Sequence, residues 1–377
     1  MIRFLIISPV IHKKDNKGFA AYTPYVREMN IWLKYVDHVR VIAPLSEKAP
    51  DPLETYYQHD SLSFCSVPAI NFTRVGYLLY SLFVLPLVML RIIRGMIWAN
   101  HIHLRCPSNM GLLGVIAQIF FPHKIKTVKY ANNWDPDSSQ AATYRFQQHL
   151  LRNSLLTRKA SVLVYGDWKE KSPNIVPFFT ASYPRSKALP VDIRRIGPGK
   201  KEPLNLIFVG TLTGNKRPLE CIKVLQILKD RGYLVKLDMF GDGAQRPMLE
   251  AYIAEYGLGN EVKLWGRQSP DTVESFFMKA HFLVFLSYSE GWPKVVAESM
   301  WWGCMPLTTD VSCVSQMLGG GARGVIVEPD ASKVADVIEQ FVSAPDTYTK
   351  ACQAAMDWSR QYDLEHFEEE IVKLIKV

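Results

Sequence analysis

The chain of 377 residues lacks several marks of common protein classes, and each absence removes a possibility. Its six cysteines, Cys65, Cys106, Cys221, Cys304, Cys313 and Cys352, are scattered, with no CxxC pair and no histidine at ligand spacing beside them. Neither a zinc site nor a disulfide framework is indicated, and a reducing cytosol is the simplest home. The opening MIRFLIISPVIHKK has one early arginine and a short apolar run but no small-residue cleavage site, so it is read as a first β-strand and not as a signal peptide. No GxGxxG follows that strand; Gly18 stands alone in HKKDNKGFAAY, which argues against a nicotinamide-dependent dehydrogenase. Lysine and arginine are dispersed without an RRM, zinc-finger or basic-region pattern, so nucleic acid is not the expected partner. The most apolar segment, VGYLLYSLFVLPLVML (75–90), is sixteen residues long and divided by Pro86. A membrane span needs about 20 residues, and none is expected here.

The chain is 48% hydrophobic and too long for one compact core, which gives two domains. Charge separates them. Residues 1–200 hold 26 Lys and Arg against 12 Asp and Glu, and residues 201–377 hold 18 against 24. Only the basic half is suited to face a polyanion. That half also contains the 75–90 segment, followed by Arg91 and Arg94. The segment is therefore either a core helix or an interfacial helix whose apolar side enters lipid while Arg74, Arg91 and Arg94 meet anionic headgroups.

Strand and helix patterns alternate along the chain. RFLIISPVI and DHVRVIAP read as strands flanking the amphipathic YTPYVREMNIWLKYV, a βαβ opening. HIHLRC, a turn at Pro107-Ser108-Asn109, a helix from about Met110, and the strand KIKTVKY with its polar turn ANNWDP come next. The connector is SYPRSKALPVDIRRIGPGKKEP, with the boundary near 195. LNLIFVGTLTGNKRPLECIKVLQ then starts a second series, in which a Gly-bearing loop and a helix from about Pro218 form a phosphate cradle carrying Lys216 and Arg217. The rest is organised around SEGWPKVVAESMWWGCMPLTTD (289–310). An apolar strand, HFLVFLSYS, enters a turn at Glu290-Gly291, and a helix follows from Pro293 to a stop at Gly303. Such a turn lies at the carboxyl edge of a parallel sheet, where an anion suits the helix start. Glu290 and Glu298 lie roughly 12 Å apart along a helix, too far for the pair of about 5 Å used by a retaining glycosidase.

The stretch from Glu290 to Glu298, with seven residues between the two acids, resembles the EGxP…E signature of family-4 retaining glycosyltransferases of the GT-B fold. Gly210, Thr211, Leu212 and Lys216 resemble the family's G-R-L-x-x-x-K, with Thr211 in place of arginine, so Arg217 is the candidate for the missing charge. The resemblance is detailed over 203–330 and architectural before it. It implies two Rossmann-like, doubly wound α/β domains facing a cleft: 1–195 for the acceptor, 196–355 for the donor, and 356–377 as a helix crossing back. It further implies that Gly266 and Arg267 border the base, that Glu298 takes the ribose, and that Gly291, Trp292, Pro293 and Lys294 meet the diphosphate. Glu290 then orients the sugar. Many relatives present a histidine from the first domain; this chain has Ala131-Asn132-Asn133-Trp134-Asp135 there, which makes Asn132 or Asp135 the catalytic candidates beside Glu290 and Lys216. Arg105, Asn133 and Trp134 are the acceptor candidates, Arg105 either gripping an acceptor phosphate or lying free on the surface.

The expectation is a metal-independent retaining transferase with no cofactor, using a UDP- or GDP-linked sugar and a glycan or lipid-linked acceptor of bacterial surface polysaccharide synthesis. Its place would be cytoplasmic, peripheral on the anionic inner face of the plasma membrane. The rival readings are a nucleotide-sugar epimerase of the same fold and a non-catalytic membrane-associated relative.

Overall fold

Apolar β-branched runs and amphipathic helices alternate from the first residues, and the computed structural model turns that alternation into two parallel sheets. It describes residues 1–51, 54–70, 75–169, 172–197, 200 and 202–375, the side chains of 75, 77 and 78 excepted. The chain divides into two units, Met1–Phe179 with Phe367–Val377, and Thr180–His366.

In the first unit β1 (Arg3–Ile7) is followed by a hairpin of β2 (His12–Asp15) and β3 (Gly18–Tyr22), then α1 (Thr23–Leu33) and β4 (His38–Ala43). Short strands β5 (Leu45–Ser46) and β6 (Glu54–Tyr56) complete a small sheet of order β5-β2-β3-β6. The hairpin replaces the plain loop expected after the first strand. Its HKKD strand has no apolar alternation, so nothing in its pattern separates it from a polar loop. After β7 (Leu62–Ser66) come α2 (Val75–Trp98), β8 (His101–Cys106), α3 (Asn109–Ala117), β9 (Ile125–Tyr130), α4 (Ala142–Arg152), β10 (Ala160–Tyr165) and β11 (Ile175–Phe178). The main sheet is parallel throughout, in the order β11-β10-β9-β8-β1-β4-β7.

Pro86 does not divide α2, which runs unbroken for 24 residues. Val84, Val88, Ile92 and Met96, at four-residue intervals, are buried on the sheet. Gly95 permits that approach, because a Cβ there would lie 2.7 Å from Ile42 Cδ1. The opposite side exposes Leu79 (79%), Phe83 (85%), Leu87 and Leu90. Leu79–Trp98 is long and apolar enough to cross a membrane by length and composition alone, yet its other side is committed to the core. The segment is thus a core helix on one side and an open apolar face on the other. Arg74, assigned with it, lies outside the described residues.

The second unit has β12 (Leu204–Val209), α5 (Pro218–Asp230), β13 (Val235–Phe240), α6 (Arg246–Glu255), β14 (Val262–Gly266), α7 (Pro270–Phe277), β15 (Phe282–Phe285), α8 (Lys294–Trp301), β16 (Met305–Thr308), α9 (Val314–Leu318), β17 (Val325–Ile326), α10 (Ala331–Ser343) and α11 (Pro345–Ser359). Its sheet is parallel, of order β14-β13-β12-β15-β16-β17, around a core that includes Leu206, Phe208, Leu237, Phe282 and Val284.

The first boundary falls at Thr180, earlier than the expected 195, because the intervening residues are bound to the second unit. Tyr183 packs its ring on Trp301 (5.2 Å) and Trp302 (5.6 Å), Lys187 pairs with Glu274 (2.8 Å), and Arg194 Nη1 donates to Trp302 O at the end of α8 (2.7 Å). The expected returning helix is also two helices. Arg360 to Asp363 interrupt the pattern before α12 (Leu364–Ile375), and the buried Asp363 accepts from His366 N (2.6 Å) while pairing with Arg185 (2.7 Å). From Phe367 onward the chain belongs to the first unit, where Lys129 Nζ lies 4.5 Å from the Phe178 ring and 5.8 Å from that of Phe367 and donates to Phe179 O (3.0 Å).

Candidate active site

At the carboxyl edge of the second sheet, three loops lie against one another through backbone hydrogen bonds. Gly210 N donates to Phe240 O (2.9 Å), Leu212 N to Asp242 O (3.1 Å), and Gly241 N to Gly266 O (2.8 Å). Gly241 has φ +125°, and a Cβ on it would fall 1.9 Å from Gly210 O. Only glycine permits this spacing. Gly210, with Thr211 exposed beside it, is therefore held on the same floor as Gly266, while Arg267 is exposed at its rim.

The loop after β15 is knit to the one after β12. Tyr288 N donates to Asn215 O (2.8 Å), and Asn215 Nδ2 donates to Ser289 O (3.1 Å). Across this seam Lys216 Nζ forms an ion pair with Glu290 Oε1, which also accepts from Ser287 Oγ (2.5 Å). The two side chains are only 19% and 12% exposed, and Lys216 Nζ lies 4.8 Å from the Phe285 ring centroid. Such a half-desolvated pair is held far more firmly than a surface one. Arg217 does not join it. With φ +49° it turns its guanidinium onto the Tyr288 ring (3.4 Å) and lines a neighbouring depression of about 520 Å³ with Gln245 and Met248.

The Glu290-Gly291 turn is fastened from beneath: Ser312 Oγ donates to Gly291 O and Thr309 Oγ1 to Ser287 O, both at 2.5 Å. Pro293 is the cap rather than the first residue of α8. The Lys294 N–H donates back to Trp292 O and that of Val296 to Pro293 O, both at 2.9 Å, so these two amides are already occupied. Trp292 packs near Tyr362 (6.4 Å). Glu298, further along α8, accepts from Ser182 Oγ (2.6 Å), and burial raises its carboxyl above the usual range against the opposing effects of that bond and of Lys294. Ser287, Asn215, Ser312 and Ser182 were not foreseen as site residues. Ser287 alone had a signal, a hydroxyl three residues before Glu290 at the end of an apolar strand.

In the first unit the turn after β9 is occupied with itself. Trp134 is fully buried, edge-on to Tyr130 (4.7 Å) and under Arg152 (4.7 Å), so it is a core residue and not an acceptor contact. Asn133, 8% exposed, accepts from Asp135 N (2.9 Å), and Asn132 Oδ1 accepts from Asn133 N (2.8 Å). Asp135 Oδ1 in turn accepts from Asp137 N (2.9 Å). These are turn-forming bonds of the kind Asn and Asp make locally. Arg105 is neither past its strand nor free on the surface: it is the penultimate residue of β8, its guanidinium 4.8 Å from the Tyr25 ring. Among the described residues no three His, Cys, Asp or Glu side chains gather as a metal site.

The cradle of Gly210, Lys216 and Glu290 falls in a segment, 192–358, that matches the family described as Glycosyl transferases group 1. That match covers less than half of the chain, and over it the segment resembles a group 1 glycosyl transferase domain. A GDP-mannose:cellobiosyl-diphosphopolyprenol alpha-mannosyltransferase of Xanthomonas oryzae pv. oryzae is 26% identical over 182 residues, 47% of this chain and 48% of the relative. The GalNAc-alpha-(1->4)-GalNAc-alpha-(1->3)-diNAcBac-PP-undecaprenol alpha-1,4-N-acetyl-D-galactosaminyltransferase of Campylobacter jejuni is 26% identical over 186 residues, 47% and 48% of the two chains. The matched stretch thus spans about half the length of these curated relatives. Over the whole chain, the crystal structure of Anabaena Alr3699/HepE in complex with UDP has a TM-score of 0.68 at 12% identity, covering 100% of both chains. Such likenesses show the GT-B fold.

Proposed function

We propose that the protein is a retaining, metal-independent glycosyltransferase that moves a sugar from a UDP- or GDP-linked donor to a lipid-linked glycan acceptor of bacterial surface polysaccharide synthesis. The observation that carries this reading is the enclosed Lys216–Glu290 pair at the start of α8 in a segment resembling a group 1 domain. A donor diphosphate entering beside Lys216 takes over its ammonium, and the Glu290 carboxylate is released to accept from sugar hydroxyls while Ser287 keeps it in place. Glu298 takes the ribose hydroxyls once Ser182 yields. The bond from the anomeric carbon to the diphosphate oxygen breaks, the acceptor oxygen bonds to that carbon on the same face, and its proton passes to the departing phosphate oxygen. Asn132 and Asp135, with side chains engaged in their own turn, act on the acceptor side only if that turn opens.

The acceptors named for the two relatives are diphosphopolyprenol-linked, which supports a lipid-linked class here. The open face of α2 supports docking at the cytoplasmic face of the membrane. The test is thermal-shift binding of UDP and GDP sugars followed by Glu290→Gln. Transfer falls by about 10²-fold while nucleotide affinity stays within about twofold. Anomer analysis of the product decides retention, and full activity in excess EDTA decides metal independence. Loss of nucleotide affinity together with transfer would reduce Glu290 to a structural residue.

A further inference from the structure

Arg217 stands between Lys216 and Pro218, and a residue that precedes a proline favours an extended backbone. It is instead left-handed, with φ +49° and ψ +50°, where residues other than glycine are uncommon. Such strain persists only where the surroundings impose it, and it gathers at functional positions. Here it places a cation. The guanidinium is laid on the Tyr288 ring, 3.4 Å from its centroid, and among the described residues it takes part in no hydrogen bond or ion pair. Lys216, the preceding residue, turns its ammonium the other way, to Glu290.

Arg217 and Tyr288 line a depression of about 520 Å³, the size of a small-molecule site. It is open to solvent, with Tyr288 64% and Met248 41% exposed. Leu219, Met248 and Pro329 give it apolar walls. Glu220 also lines it, but its carboxylate is paired with Lys223 (2.9 Å). A planar guanidinium with open N–H groups matches the paired oxygens of a carboxylate or a phosphate. The walls around it favour an apolar body behind that head group, since burying such a body removes apolar surface from water on both sides. A cationic ligand would meet Arg217 as a like charge.

We infer that Arg217 and Tyr288 form a second anion site, beside the Lys216–Glu290 cradle and separate from it, which takes a carboxylate or phosphate carried on an apolar body. The site lies wholly in the second unit and does not depend on the transferase reading. Arg217 thereby serves a ligand of its own and not the charge that Thr211 leaves missing from the cradle.

The test is saturation-transfer NMR of the full chain with phenyl phosphate and benzoate as probes, in the presence of saturating UDP or GDP so that the cradle is filled. Inorganic phosphate and benzyl alcohol serve as the head and the body alone. At least one probe binds the nucleotide-loaded protein about fivefold more tightly than either half does, and the tighter of the two names the head group. Arg217→Gly suits the left-handed backbone, so it melts no lower than the parent, and it weakens that probe about tenfold. Arg217→Lys, which keeps the charge without the fork, weakens it less. Displacement of the probe by UDP or GDP overturns the inference and returns Arg217 to the donor site. Equal probe binding by the parent and Arg217→Gly overturns it as well, as does a parent that binds a nucleotide and neither probe. Failure of both nucleotides to bind defeats the transferase reading instead, and the Arg217→Gly comparison then decides the anion site without them.

Discussion

Single residues decide how tightly the loops at the carboxyl edge of the second sheet can approach. Gly241 is the clearest case, because both its positive φ and the 1.9 Å that would separate an added Cβ from Gly210 O forbid a side chain. Gly241→Ala is expected to cost about 3 kcal/mol and to lower the melting temperature measured by calorimetry, with UDP or GDP affinity reduced as Gly210 is pushed out. A variant as stable as the parent would mean that the loops separate easily. At this scale the sequence was informative where a residue type has few uses, as with Glu290, Lys216 and the glycines. It misled where a residue serves packing: Trp134 looked like a ligand contact beside two asparagines, yet its indole is closed off among Tyr130 and Arg152. Lys129 reads as an ordinary strand lysine, and nothing local announces that its ammonium lies 4.7 Å from Tyr165 and 4.5 Å from Phe178. Those rings come from β10 and β11, neighbouring strands in the sheet that follow later in the chain.

Elements with strong periodicity were legible, and those defined by tertiary context were not. β12 with α5, and β15 with α8, stand close to where alternation and capping residues put them. The hairpin of β2 and β3 was invisible because its strands gain their order from backbone pairing and from contacts such as His12 Nε2 with Tyr57 (2.8 Å). In the sequence Pro86 divides the 75–90 segment, since a proline costs about 3 kcal/mol inside a helix when nothing compensates it. Here a row of buried valine, isoleucine and methionine on the other side holds the helix together. Its outward face makes a prediction at this scale. Leu79→Ser with Phe83→Ser lowers co-sedimentation with phosphatidylglycerol vesicles at low salt by about tenfold, while the melting temperature is nearly unchanged because both side chains are exposed. Equal binding by parent and variant would remove the lipid-facing role of this helix.

Across the whole molecule, buried histidines make the two units unequal in acid. In the first unit His101 Nε2 and His103 Nδ1 share Thr127 Oγ1 (3.0 and 2.9 Å); that hydroxyl has one proton to give, so at least one imidazole donates. Burial lowers His101 and His12 to about 4 and His103 well below its ordinary value. In the second unit His281 also falls to about 4 through burial. Because folding weakens proton affinity here, the unfolded chain binds protons first as pH falls: this stability is complete above about 6.5 and is lost toward pH 4, by at most about 1.4 kcal/mol per pH unit for each histidine. Hydrogen exchange, corrected for its intrinsic pH dependence, is therefore expected to lose protection faster in β1, β8 and β9 than in β12 and β13 between pH 7 and 5. Parallel loss in both units would show that other groups dominate.

The division of the chain also has an order in time. The second unit is one continuous stretch, Thr180–His366, but the first is interrupted by it and is completed only by residues from Phe367 on. During synthesis the earlier half lacks the Phe367 ring beside Lys129 until that residue has left the ribosome. The later half is one uninterrupted stretch and can settle first.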